Sequence, residues 1–353
     1  MYKEKYRFMN RITVIGAGKT GRGFLARLAA ESNIAVDFID KDTALIDSLQ
    51  STGQYTVHFF GGKREPVLIS GYSIKSWEDP ELFFNDLILV SVGQTNLPDI
   101  GKMMKEKLPA EKHFRIITCE NGIGPASLLS KAIGLPNVQV SEAAVFCTTT
   151  DEGTPDIRSE DYPVLPFDSD LLPGYVPPIS AFEPQNHFEN VLKRKIYTYN
   201  AASAVIAYMG WLYGYKDYAS AANDSRIAAL LDTNYASTNR AICAEFGCTA
   251  SDQERFAALS RAKFCNPEIK DSIARNARDA KRKLGKNERI IGPLNLLKKH
   301  GEDYSVLCKT AAAALLYCRE EESDSTPPEQ ILSEVSGLND AETIDEIMRG
   351  YQA

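Results

Sequence analysis

The sequence predicts an α/β protein with a doubly wound parallel sheet in its N-terminal half and a mostly α-helical C-terminal half. Three observations carry this. Residues 11–40 read as strand, glycine turn, helix, strand and terminal acid. Residues 86–92 and 115–119 are further β-rich buried runs, and from His187 onward the apolar spacing is helical, with alanine-rich stretches such as 310–317. A chain of 353 residues suits two domains, placed at 1–186 and 187–353.

In the first of these stretches Ile12, Val14 and Ile15 form a strand, after which Gly16, Gly18 and Gly21 fall in the spacing G-x-G-x-x-G, with Lys19 and Thr20 between the last two. A tight turn, a close approach of backbone to a pyrophosphate and a close helix–strand contact each need a residue without Cβ, so each glycine has its own reason. The helix that follows directs free N–H groups at the phosphates. Val36, Phe38 and Ile39 make the next strand, which ends in Asp40. That acid stands about 20 residues past the fingerprint, where a carboxylate accepts hydrogen bonds from an adenosine ribose. The competing reading is a glycine turn that serves packing alone, but strand, helix and acid all stand at the expected distances. The pattern predicts a Rossmann domain that binds a dinucleotide. Asp40 favours NAD over NADP, although Lys41 directly after it is placed to meet a 2′-phosphate.

Next comes a helix capped by Asp42, with Leu45 and Leu49 on its apolar side, and then a hairpin-like insertion of residues 55–60 and 66–69 joined through Gly61 and Gly62. The run 86–92 ends in Gly93 and Gln94, and the run 115–119 ends in Glu120, Asn121 and Gly122. Ligands of such sheets collect beyond the carboxyl ends of the strands, so Gly93, Gln94, Glu120 and Asn121 are expected to face the cofactor. Prolines at 155, 163, 166, 173, 177, 178 and 184 rule out a long helix over 151–186 and predict an extended crossover there. Residues 320–324 are acidic and precede Pro327 and Pro328, as in an exposed loop before terminal helices.

A net charge of −7 argues against a nucleic-acid partner, because phosphate contacts need a broad face of Lys and Arg. Seven cysteines without a C-x-x-C fit reduced thiols in a cytoplasmic protein, and four scattered histidines form no metal-ligand pattern. The first ten residues lack the apolar core of a signal peptide, and no stretch is long and apolar enough to span a membrane. Nothing in the sequence bears on oligomeric state.

Residues 187–213 read as one helix. At about 100° per residue, Phe188, Leu192, Tyr199, Ala202, Ile206, Met209 and Tyr213 gather on one stripe. Lys195 lies in the middle of it, whereas Lys193 and Arg194 fall on the opposite, solvated side. Two readings of Lys195 stand open. Its stem lies along the apolar face while the ammonium reaches water or a carboxylate. Alternatively, the ammonium points into a cleft, where desolvation lowers its pKa until the neutral amine accepts a proton near neutrality. Asn200 and Ser203 lie within roughly 140° of the same sector and would line one pocket with it.

Several stretches together resemble the polyol-specific long-chain dehydrogenases, the mannitol dehydrogenase family, and most of all its mannitol-1-phosphate 5-dehydrogenase branch. They are IGAGKTGRGF followed by VDFIDKD, SVG at Ser91, TCEN at Thr118, KRKIYTYNAASAVIAYMG at Lys193, FCNPEIKD at Phe264 and RKL at Arg282. Their order spans nearly the whole chain. The resemblance implies metal-independent transfer of hydride between NAD and a polyol or its phosphate, with a small-molecule substrate. It implies that Lys195 opens the family's motif K-x-x-x-x-N-x-x-H as general base, with Asn200 hydrogen-bonded to the developing alkoxide. Two positions depart from the pattern. Ser203 stands where the family has His, and Val145, Phe146, Cys147 and Thr148 replace a V-D-R-I sequence, removing an Asp–Arg pair.

A basic segment completes the candidate site. Arg275, Arg278 and Arg282 are spaced i, i+3 and i+7 on an expected helix face, among Lys281, Lys283, Lys286 and Arg289. Guanidinium groups suit bidentate phosphate binding, so this face is a candidate for a substrate phosphate. A solvated charged face is the plainer reading. The leading expectation is an NAD-dependent dehydrogenase interconverting a polyol phosphate and a ketose phosphate. One alternative is a dehydrogenase of an unphosphorylated polyol or sugar acid. The departures at Ser203 and Phe146–Cys147 motivate another, an NAD-binding sensor or inactive homologue.

Overall fold

The computed structural model describes residues 10–120, 124–151 and 153–352. The chain forms two compact units, Met1–Phe188 and Glu189–Ala353.

The first unit is built on β1 (Arg11–Ile15), α1 (Ala26–Glu31, preceded without a break by a π turn over Gly21–Leu25), β2 (Ala35–Asp40), α2 (Thr43–Thr52), β3 (Gln54–Phe59), β4 (Val67–Ser70), β5 (Ser73–Ser76), β6 (Leu87–Val90), α3 (Leu97–Lys107), β7 (Phe114–Thr118), α4 (Pro125–Ile133) and β8 (Val138–Glu142). Six strands form one sheet in the order β5-β2-β1-β6-β7-β8, and every neighbouring pair is parallel. This is the doubly wound order, which reverses between β1 and β6. Val14, Ile88, Leu89, Val90, Ile116 and Ile117 are fully buried, as strands covered on both faces must be. Asp42 caps α2 by accepting from the Leu45 amide at 3.1 Å.

β3 and β4 pair antiparallel as the expected hairpin, but they belong to a second sheet. β9 (Thr149–Asp151) and β10 (Ile157–Ser159) complete it in the order β4-β3-β10-β9. β11 (Leu165–Asp168) and β12 (Phe182–Gln185) pair separately. The proline-rich stretch is thus extended, as expected, but it is more than a crossover. Pro166 and Pro184 are tolerated because β11 and β12 form only a two-stranded pair, and on the far side of β11 the contact is Ala144 N–H donating to Pro166 O, which needs no proline N–H.

Two fully buried arginines tie this layer to the glycine-turn helix. Arg22 donates to Ala17 O at 2.7 Å and Pro155 O at 2.6 Å, and pairs with Asp151 at 2.7 Å. Arg27 donates to Tyr162 O at 2.5 Å, pairs with Glu31 and lies over the rings of Phe24 and Phe59. Gly23 makes the approach possible, since a Cβ there would stand 2.3 Å from Ile157 Cγ2.

The second unit is helical: α5 (Phe188–Lys195, beginning at the junction), α6 (Ala201–Leu212), α7 (Tyr218–Ala222), α8 (Ser225–Phe246), α9 (Ala250–Cys265), α10 (Ile273–Ala277), α11 (Ala280–Lys283), α12 (Ile291–His300), α13 (Ser305–Glu320), α14 (Pro328–Gln330) and α15 (Ala341–Gln352). The expected single helix over 187–213 is interrupted, because a π turn over Ile196–Asn200 separates α5 from α6. The expected stripe is also not what packs. Residues 204–210 are all buried, while Tyr213 is exposed, so α6 is the central rod of the unit rather than an amphipathic surface helix. Among the described residues, no helix is long and apolar enough to cross a membrane.

Asp37 on β2 is the buried charge that joins the sheet to its edge. Its carboxylate accepts from Arg11 at 2.5 and 2.9 Å, from Ser73 at 2.6 Å and from Asn85 at 2.9 Å. Burial pushes its pKa up, but the hydrogen bonds from Arg11, Ser73 and Asn85 outweigh this and hold it below the usual carboxylate range. A depressed folded pKa contributes stability above the unfolded value of about 3.9, lost as pH falls through the folded value. Asp37→Ala is expected to cost about 3 kcal/mol in urea unfolding at pH 7. That deficit should shrink when the two proteins are compared below pH about 3.

Candidate active site

At the carboxyl end of β1 the three fingerprint glycines meet three different demands. Gly16 has φ +96°, and a Cβ there would lie 2.1 Å from Ser91 O; at Gly21 it would lie 1.9 Å from Gly16 O. Gly18 has no protein atom within 4 Å of the position a Cβ would take. Two glycines therefore close the turn onto its own unit, and the third leaves bare backbone facing open space. That is the cradle a pyrophosphate needs, and the residues present fit a bound dinucleotide. Lys19 is exposed and Thr20 half-buried at the start of the helix.

Asp40 lies at the end of β2, where an adenosine ribose would be read. Its carboxylate already accepts from the backbone amides of Ala17 at 2.6 Å, Lys41 at 2.7 Å and Asp42 at 3.0 Å, so it also fixes the glycine turn. Glu120 spans two strand ends by accepting from the Val92 amide at 2.6 Å and the Gly93 amide at 2.9 Å; burial nonetheless raises its pKa. The expectation that Glu120 and Gly93 face the cofactor thus meets a carboxylate engaged in joining β6 to β7. Asn121 lies outside the described residues. Phe146, one of the departures from the family pattern, stacks on Tyr162 at 5.5 Å, and the Cys147 thiol lies 3.2 Å from Ser159 Oγ.

In the second unit Lys195 ends α5 and Asn200 ends the π turn. The Ala201 amide donates to Ile196 O, the i→i+5 bond that defines such a turn. On an α-helix Lys195 and Asn200 would diverge by roughly 140°. Hydrogen bonding to the fifth residue makes five residues close to one full revolution, which brings the two toward a common face. Gly292 accommodates the widened turn, since a Cβ there would stand 2.7 Å from the Tyr197 ring. Lys195 retains some exposed area but is densely enclosed. Burial drives its amine down to about 7, and the positive charge of Lys263 adds to the push. Ser203 Oγ accepts from Tyr218 Oη at 2.9 Å, which leaves the Ser203 hydroxyl hydrogen for another acceptor.

Arg194 departs from the expectation of a solvated side chain. It pairs with Asp252 at 2.8 Å, donates to Gln253 Oε1 at 2.6 Å and lies 4.4 Å over the Phe256 ring. The interrupted helix accounts for this, because the π turn rotates α5 relative to the continuous wheel.

The basic face expected of Arg275, Arg278 and Arg282 is not formed. α10 ends at Ala277, Asp279 adopts φ +60°, and a separate α11 follows, so the three do not share a helix. Arg275 is held by Asp271, and Arg282 donates to Glu288 at 2.9 Å. Arg278 is exposed at the break. The cation that the local fold does bury is Lys283, which donates to Asn276 O at 2.5 Å and is driven by burial, with the charges of Arg289 and Arg282, down to about 8. From the sequence Lys283 was counted only as one of the basic run, and neither Arg22 nor Gln253 was singled out. Nothing in the sequence set Lys283 apart from its basic neighbours, whereas Arg22 stood out as a charge between two glycines at the start of an apolar helix.

Comparison with known proteins places both units. Residues 10–150 match the mannitol dehydrogenase Rossmann domain and residues 187–350 the mannitol dehydrogenase C-terminal domain. The mannitol-1-phosphate 5-dehydrogenase of Lacticaseibacillus casei (strain BL23) is 26% identical, over 94% of this chain and 96% of its own. That of Oceanobacillus iheyensis is 27% identical, over 92% and 93% respectively. Among solved structures, the ternary complex of Pseudomonas fluorescens mannitol 2-dehydrogenase with NAD and D-mannitol superposes with a TM-score of 0.69 at 14% identity, covering 98% of this chain and 91% of that one. A substrate-free D-sorbitol dehydrogenase gives 0.75 at 13% identity, covering 97% and 92%. These superpositions bear on the fold, and the two family matches, which together take in most of the sequence, bear on identity. The chain belongs to the mannitol dehydrogenase family.

Proposed function

We propose that the protein interconverts a polyol phosphate of the mannitol 1-phosphate kind and the corresponding ketose phosphate, with Lys195 as general base. The observation that carries this reading is the enclosed Lys195 amine, lowered to about 7 and set on the π turn with Asn200. Gly16, Gly18, Lys19, Thr20, Gly21 and Asp40 are the residues that would hold NAD, which when bound supplies the acceptor for the hydrogen and electron pair leaving the carbinol carbon. The neutral amine of Lys195 takes the hydroxyl proton as that carbon is oxidised. Asn200 donates its amide hydrogen to the same oxygen as charge develops there, a fixed dipole that needs no reorganisation. Ser203, with Tyr218 as its donor, orients a substrate hydroxyl in place of an imidazole.

The phosphate is supported by the two relatives named for mannitol 1-phosphate. An unphosphorylated polyol is the second reading, favoured by the engagement of Arg275 with Asp271 and of Arg282 with Glu288. Initial rates with paired hexitols and hexitol phosphates, followed as NADH absorbance, separate the two: comparable kcat/KM with and without phosphate would leave the basic segment without the role given to it. Absence of NADH formation across the whole panel, with NAD binding intact, would favour a sensor.

Two variants test the residue roles. Lys195→Met is expected to lower kcat by about 10^3-fold with NAD affinity unchanged. In the parent, polyol oxidation needs the neutral amine, so its rate should fall as pH drops through about 7, and ketose reduction, which needs the ammonium, should fall as pH rises through it. Gly18→Val adds atoms only where the protein has none, so it should leave Tm unchanged while weakening NAD binding at least about tenfold by calorimetry.

A further inference from the structure

We propose that Gln253 is a positioning residue for Lys195, acting by gripping the chain just before the π turn and again inside it. The inference rests on Lys195 being the base. Gln253 lies on α9 with no exposed surface. Its Oε1 accepts from Arg194 Nε at 2.6 Å, and its Nε2 donates to Thr198 Oγ1 at 3.0 Å and to Asn239 Oδ1 at 3.0 Å. Arg194 directly precedes Lys195, and Thr198 lies three residues after it, inside the turn. One amide therefore holds the chain on either side of the amine-bearing residue and anchors that grip to α8 through Asn239.

The rest of α9 reinforces the hold. Phe256 carries the Arg194 guanidinium on its face and meets the Tyr199 ring at 4.9 Å, and Phe264 meets the same ring at 6.2 Å. A π turn is a rare, inserted-residue backbone that an isolated helix would discard for the α form. Reverting to α geometry would swing Lys195 and Asn200 apart by roughly 140°. Holding the insertion thus requires contacts outside the helix, and Gln253 supplies the buried, directional ones. Its own donors are fully used, so no nearby polar group would replace it at low cost. The charged groups around the turn are Arg194 itself, Asp252 and Lys263 from α9, and Glu245 of α8 beside Tyr197. Replacing Gln253 removes one partner of Arg194, which keeps its pairing with Asp252, and touches none of the other charges directly.

The test uses the full chain and a readout that needs no turnover. Acylation of Lys195 by a water-soluble succinimidyl ester is followed by peptide mass spectrometry across pH, beside steady-state kinetics and NAD binding. Gln253→Met keeps the length and removes the amide. The expected result is an acylation midpoint raised by at least one pH unit, kcat lowered about tenfold or more and NAD affinity unchanged. Gln253→Glu keeps an acceptor for Arg194 and offers the Thr198 hydroxyl an acceptor in place of the lost donor, and should recover part of the lost kcat. If Gln253→Met does not fold, Thr198→Val removes one partner of the clamp and should move the midpoint the same way. A folded Gln253→Met or Thr198→Val variant with the parent's midpoint overturns the proposal. Full turnover in Lys195→Met would instead overturn the general-base reading, and the acylation profile would still report whether Gln253 positions the amine.

Discussion

A lysine amine largely enclosed by protein is the constraint on which the second unit depends. Desolvating Lys195 is unfavourable, and the proximity of the Lys263 charge adds to that cost. Such an arrangement persists only if the surrounding packing is stiff. α6 is buried nearly all round, Gly210 lets Ile273 and Ala221 close upon it, and Gly292 lets Tyr197 seat against α12. The apolar core of this unit is thus what encloses the amine and keeps its pKa low, so stability and that lowered pKa are linked through the same side chains.

The first unit follows a different logic. Its site is backbone, and side chains serve to hold that backbone in place. Gly16 and Gly21 permit contacts that no other residue would allow, while Arg22, fully buried, binds Ala17 O from behind and joins it to Asp151 and Pro155. The second sheet is therefore a buttress for the glycine turn as well as an insertion. A buried arginine with five donors is costly unless nearly all are used, and here carbonyl oxygens and a carboxylate take them.

Much of the first unit was legible in the sequence because its signals are local. Gly16, Gly18, Gly21 and Asp40 lie within one strand–helix–strand unit, and the buried runs at 87–90 and 114–118 announce themselves by composition. The sheet containing β9 and β10 was not legible, because three-residue strands carry no periodicity and depend on β3, about 100 residues earlier in the chain. The helical character of the segment carrying Lys195 was legible, but its geometry was misjudged. Lys195 and Asn200 were recognisable as a motif, yet a helical wheel assumes a constant rotation per residue, and the π turn violates it between them. Arg275 and Arg282 illustrate the same limit: their spacing reads as a shared face, and the left-handed Asp279 between them breaks it.

Asp40 carries a consequence for how this site can evolve. The carboxylate that would read the ribose in the proposed cofactor site also accepts from the amide of Ala17, inside the glycine turn. Selectivity for one dinucleotide over another is then not an independent module. A lineage drifting toward a 2′-phosphorylated cofactor by replacing this acid would loosen the turn that grips the pyrophosphate common to both. Compensation would have to arrive first, in a residue able to take over the Ala17 amide, so the accessible path runs through a neutral repair before any gain in preference.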